Sequence, residues 1–143
     1  MSVLIVGCGN LGAYLANLLS TEGWEVVVVD WQEEAFSQLS SSFSGIKVIG
    51  DVTEVDVLER AGIDAATALV ATTKRDNVNL MVAQIAREIY GVPVVLARVE
   101  DPNREESYRE LEIKTICPTI MGALRLREML TESAQPGKGR GGS

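Results

Sequence analysis

The chain has 143 residues, about one domain's worth, with 46% hydrophobic and 23% charged residues, ordinary figures for a globular fold with one core. Its net charge of -7 argues against a nucleic-acid partner, because binders of a phosphate backbone present a basic face. It contains no histidine, which removes the commonest general acid/base and the commonest metal ligand together; Cys8 and Cys117, far apart and in segments that read as buried, make no zinc site. No signal peptide or run of about 18 apolar residues is present, so a cytoplasmic chain without direct membrane insertion is expected.

In chain order, β-branched runs alternate with helical patterns. Val3–Val6 reads as a strand and Leu11–Ser20 as the helix after it. "WEVVVVD" is a second strand and Glu33–Ser42 a polar-faced helix. "IKVIGD" holds a third strand, then Glu54–Ala61 a helix with Thr53 as cap and Gly62 as stop. "TALVATT" is a fourth strand. Asn77–Tyr90 follows as a long helix stopped by Gly91, with Val78, Met81, Val82, Ile85 and Ile89 on one face. "PVVLARV" is a fifth strand, and "DPNREESYREL" a charged helix capped by Asp101 with Pro102 in its first turn. "KTICP" is a sixth strand and Thr119–Glu132 the last helix.

Runs such as "VVVV" and "VVLA" are apolar on both faces, as strands must be when helices cover both sides of a parallel sheet. Six alternations predict a single-domain α/β fold: a doubly wound, Rossmann-like, parallel six-stranded sheet in the order 3-2-1-4-5-6 over residues 1–133. Residues 134–143, ending "QPGKGRGGS", have no apolar face to bury and read as a flexible tail or an expression scar.

The first strand runs into Gly7-Cys8-Gly9-Asn10-Leu11-Gly12, a G-x-G-x-x-G between strand and helix, the context the dinucleotide fingerprint requires. The first glycine permits the tight turn, the second admits a pyrophosphate, and the third lets helix pack on strand, with helix-start N–H groups facing the anion. A tight turn without ligand is the plainer reading. Asp30, 18 positions beyond Gly12 at the tip of the second strand, is placed to accept bonds from both ribose hydroxyls. Its charge disfavours a 2′-phosphate, and "WQEE" after it offers no arginine to hold one. The alternative is a solvated loop acid. Trp31 packs beside the adenosine or covers the sheet edge.

These segments carry a resemblance. "VLIVGCGNLG", "VVVVD", "VIGDVTE", "ALVATTKRDNVNL", "VLARVEDP" and "ICPTIMG" stand in the order and spacing of the RCK N-terminal (TrkA-N, KTN) domain, the regulator of potassium channels and Trk/Ktr-type transporters, from Met1 to about Leu130. The resemblance implies that Asp51 reaches the adenine amino group and Val52 packs on the ring, although Asp51 and Thr53 also suit helix capping. It places Thr72 and Thr73 at the mouth of the crevice, unless they are turn residues. Asp76 and Asn77 read as caps. Arg98, a cation in an apolar strand, would meet a ligand phosphate or else pair with Glu100 or Asp101. Two departures matter. Asn10 replaces a basic residue, and Thr119 a glutamate, of the family's ATP-binding branch, which weakens a γ-phosphate–metal switch and leaves NAD or NADH, ADP or AMP as comfortable ligands, with ATP less so.

What the resemblance implies as function is a nucleotide-sensing regulatory domain, not an enzyme. It would bind NAD(H) or an adenine nucleotide, change the geometry of a homodimer or higher oligomer, and act on a membrane-embedded potassium channel or transporter subunit from the inner face of the membrane. No pore helix is expected ahead of Met1, and the family's smaller C-terminal lobe is absent, by truncation or because the chain is a one-domain member. The last helix carries Ile120, Met121, Ala123, Leu124, Leu126, Met129 and Leu130, a wider apolar surface than one sheet face needs, which points to pairing through it. Two rivals remain. A small NAD-dependent oxidoreductase would need an acid/base, yet Tyr14, Tyr90 and Tyr108 have no lysine four residues on; a redox role for Cys8 belongs to the same rival. The other is a scaffold subunit with an empty site.

Overall fold

The computed structural model describes residues 1–134. Six strands form one sheet: β1 (Ser2–Val6), β2 (Glu25–Asp30), β3 (Ile46–Ile49), β4 (Ala68–Ala71), β5 (Val94–Arg98) and β6 (Lys114–Ile116). Their order is β3-β2-β1-β4-β5-β6 and every pairing is parallel, the expected doubly wound topology. The chain reverses direction across the sheet at β1 and β4, so a crevice opens between their carboxyl ends, where such sheets place ligands.

Helices cover both faces, which is why the central strands are apolar throughout. On one face α1 (Asn10–Thr21) and a 3-10 turn, Glu33–Gln38, close over Val3, Ile5 and Val28, with Phe36 of the turn buried in the same cluster. On the other, α2 (Val55–Arg60), α3 (Asp76–Gln84) and α4 (Glu105–Glu110) bury Leu4, Val6, Leu58, Val82 and Tyr108. Both cysteines are free and buried. The last helix, α5 (Pro118–Ala134), has no buried residue. Of the stretch read as a tail, Ala134 ends α5 and the rest lies outside the described residues.

Three local expectations give way to the packing. Glu33–Ser42 is not an α-helix: only Glu33–Gln38 winds, as a 3-10 turn. It buries Phe36 and Leu39, a spacing of three that suits a helix with three residues per turn, and the following serines carry no apolar stripe to extend it. Thr53 does not cap α2, because its N–H and hydroxyl both donate to Asp51 Oδ1, at 2.9 and 2.7 Å, in a turn that closes before the helix begins. The long helix expected over Asn77–Tyr90 is α3, which changes form after Gln84 and continues over Ile85–Ile89 as π-helix. The wider turn rotates the register, so Ile89 leaves the buried face and stands exposed, while Val82 keeps its place in the core. Gly91 then ends the element in the left-handed region, at φ 60°.

Candidate functional site

A cleft of about 530 Å³ opens at the carboxyl ends of the strands. Its floor is the loop between β1 and α1. Gly7 sits at φ 106°, a conformation only glycine adopts cheaply, and a methyl group built on it would lie 2.9 Å from Thr73 N. Gly12 is tighter still: its methyl would lie 2.0 Å from the Gly7 carbonyl oxygen and 2.6 Å from Thr72 Oγ1. Gly9 is different. It lines the cleft, and a methyl there would meet nothing within 4 Å. Gly9 is also the N-cap of α1 and supplies no side-chain bond, so the first N–H groups of a twelve-residue helix start beside the cleft uncapped.

The loop is braced from both sides. Asp30 Oδ2 accepts from the Cys8 N–H at 2.8 Å, and Oδ1 from the Gln32 N–H at 2.9 Å. Far from being a free solvated acid, Asp30 ties β2's end to the glycine loop, and it still borders the cleft with acceptor capacity on each oxygen. Thr72 is buried, and its hydroxyl lies 2.9 Å from the Gly7 carbonyl and 3.2 Å from that of Val6. Its hydroxyl therefore serves the loop. Cys8 borders the cleft with its side chain buried; burial first, and the Asp30 charge second, push the thiol up to about 11. A thiol so protonated at neutral pH does not support the redox role weighed for it.

Around this floor the cleft has two flanks. On the β2–β3 side stand Trp31, Asp51 and Val52, together with Glu34 and Gln38 of the 3-10 turn. Trp31 is 66% exposed and so shields little of the sheet edge. The Asp51 carboxyl is held below the usual range by the Thr53 hydroxyl and backbone N–H. Gln38 Nε2 donates to the Cys8 carbonyl at 3.4 Å. On the β4–β5 side stand Thr73, Lys74, Arg75, Val78 and Arg98. Arg98 pairs with Glu100 at 2.7 Å, with its side chain only 17% exposed, while its buried Nε has no hydrogen-bond partner. Of the residues singled out from the sequence, ten border the cleft; Asn10, Leu11 and Gly12 belong to α1 behind it.

Asp76 and Asn77 are not caps. Asp76 lies inside α3 and its carboxylate accepts from the Glu100 and Asp101 N–H groups, at 2.6 and 3.1 Å, while Asn77 accepts from Arg104 at 2.8 Å. The residue that sequence reasoning missed is Asn79. It is wholly buried; its Oδ1 accepts from the Thr73 N–H and hydroxyl, and its Nδ2 donates to the carbonyls of Thr73 and Arg98. One carboxamide thus clamps the ends of β4 and β5 together beneath the cationic flank. An asparagine in the apolar helix face "VNLMV" was the available signal.

Comparison with known proteins places these features. The TrkA-N domain family model matches residues 3–118. Over 137 residues the chain is 40% identical to a Trk system potassium uptake protein TrkA of Streptomyces coelicolor, covering 95% of this chain and 61% of that protein, so the chain spans about three fifths of its length. Among solved structures, a Shewanella denitrificans Kef C-terminal domain in an AMP-bound form superposes with a TM-score of 0.81 at 27% identity, covering 95% of this chain and 84% of that one. A GsuK channel bound to NAD superposes at 0.79 and 24% identity, over 93% of this chain and 24% of that one, a likeness of fold. With its family model spanning the sheet from β1 to the start of α5, the chain belongs to the TrkA-N domain family.

Proposed function

We propose that the chain is a nucleotide-sensing regulatory domain of a potassium transport system, binding an adenine nucleotide or NAD(H) in the cleft and passing the bound state to a membrane-embedded partner. The observation that carries this reading is Gly9. Gly7 and Gly12 are demanded by the protein's own backbone, whereas nothing in the protein occupies the space beside Gly9. A glycine that the fold does not need, at an uncapped helix start, suits a phosphate group from outside the chain. The AMP-bound relative with the same fold and the Trk relative support the ligand class and the transport setting.

In this reading phosphate meets the α1 N–H groups and the orphaned Arg98 Nε. Asp30 accepts from ribose, Asp51 from the adenine amino group, and Trp31 and Val52 flank the ring. Thr73 borders the phosphates, and Thr72 holds the loop from behind. Tyr108 is buried with its hydroxyl on the Asp76 carbonyl, away from the cleft, so it offers no proton there for hydride chemistry. In this reading the domain is a sensor and not an oxidoreductase. Among the described residues no helix is long and apolar enough to cross a membrane, and a second copy along α5 would join two sensors at the cytoplasmic side of the partner.

Mass spectrometry of nucleotide released from the purified chain, with isothermal titration of AMP, ADP, ATP, NAD and NADH, tests the proposal. Binding of at least one, with affinities differing roughly tenfold or more across the set, is expected; a coupling of about 1–3 kcal/mol suffices for a switch. Equal affinities throughout would leave the domain unable to tell one nucleotide from another, and no binding at all would leave the empty scaffold.

A further inference from the structure

The cleft is polarised. Its acids, Asp30, Glu34 and Asp51, border the β2–β3 flank, and its cations, Lys74, Arg75 and Arg98, the β4–β5 flank. A ligand matching that field has hydrogen-bond donors at one end and an anion at the other. The α1 side cannot supply the missing countercharge, because Asn10 is neutral and stands outside the cleft. Arg98 is already engaged by Glu100. Lys74 and Arg75 are exposed at the cleft rim, and neither has a carboxylate within 4.0 Å among the described residues.

Their backbone is held in place. Thr73 Oγ1 lies 3.2 Å from both the N and the O of Arg75, and Asn79 in turn fixes Thr73. The rim cations are therefore mounted on a braced loop, with side chains free to turn toward a bound anion.

We propose that Lys74 and Arg75 receive the terminal phosphate of the nucleotide, beyond the phosphate at the start of α1, and that the cleft takes an adenosine diphosphate in preference to a dinucleotide. The inference rests on the nucleotide reading above. The far half of a dinucleotide ends in a nicotinamide riboside, which brings no anion to the cationic flank and is itself positive when oxidised. A free terminal phosphate brings up to two negative charges to the same place, and charge-assisted bonds to phosphate are the strong ones. Loss of the two cations should therefore weaken the mononucleotide selectively.

The experiment is titration of the full chain and of the double variant K74Q/R75Q with ADP and with oxidised NAD, at low and at physiological ionic strength. Wild type is expected to bind ADP about tenfold or more tightly than NAD, with the gap narrowing as salt rises. The variant should lose about tenfold for ADP, stay within about threefold for NAD, and show a flatter salt dependence. Both side chains are exposed, and an unchanged thermal midpoint confirms that the variant folds. Undiminished ADP binding by the variant, an equal loss for both ligands, or a wild type that prefers NAD would each overturn the inference while leaving the nucleotide site standing. A wild type that binds neither ligand would overturn the site itself, and this inference with it.

Discussion

Helices α1 and α5 are both rich in apolar residues, and the fold uses them in opposite ways. In α1 the buried positions are small, Gly12, Ala13 and Ala16, so the helix approaches the sheet closely and its start meets the glycine loop. In α5, five residues longer, nothing is buried: Met121, Leu124, Leu126, Met129 and Leu130 are all exposed, Leu130 at 70%. Close packing makes one helix intolerant of an added methyl; absence of packing makes the other indifferent to a charge. The contrast separates residues that build the domain from residues available to another surface.

The sharpest way to break that contrast is Gly12→Ala. With backbone oxygen 2.0 Å from the new methyl, the loop and α1 must separate, and urea denaturation should show a loss of about 3 kcal/mol or more. Gly9→Ala, three residues earlier in the same motif, should stay within about 0.5 kcal/mol of wild type while nucleotide titration weakens; a stability loss equal to that of Gly12→Ala would erase the distinction between the two glycines.

Asn79→Ala should come next, at about 2–3 kcal/mol, because the groups of Thr73 and Arg98 that it serves lose their partners at a largely buried site. Hydrogen exchange should quicken first at Thr73. Asp30→Ala removes two N–H acceptors at a half-buried position, about 1–2 kcal/mol in thermal denaturation, and abolishes retention of nucleotide if the ribose contact is right.

Alkaline pH gives a smaller, graded effect on the α1 side. The folded chain keeps the Cys8 proton to about 11, whereas the unfolded chain releases it near 9.0, so this contribution is complete below pH 9 and is lost as pH rises to 11. Tyr108 acts in the same direction between 10.0 and about 12 on the opposite face. The urea midpoint should fall across this window, less steeply in Cys8→Ala. On α5, finally, Leu126→Glu with Leu130→Glu should leave the stability of the single chain within about 0.5 kcal/mol of wild type, yet shift any larger species toward monomer in sedimentation; an unchanged distribution would mean that α5 is not where copies meet.

Much of the architecture was legible in advance because it is written locally. Runs of valine apolar on both faces, alternating with helical spacing, specify a covered parallel sheet, and three glycines at a strand's end specify the turn and the close helix. Motif spacing likewise brought Asp30, Asp51, Thr72 and Arg98 to one crevice, since each stands at or just beyond the carboxyl end of its own strand. What those side chains do once there was not legible. Thr53 read as a cap and became the donor of a turn; Asp76 read as a cap and became the anchor of β5's end.

The sequence by itself determined the strand order, the glycine loop and the acid opposite it, because periodicity and spacing act over neighbouring residues. Only the tertiary structure decided that Asn79 joins two strand ends, that Asp76 reaches the backbone beyond β5, and that acids and cations take opposite flanks. A hydrogen bond or an ion pair between residues far apart in the chain depends on distances that exist only once the sheet has assembled, and no local pattern records them.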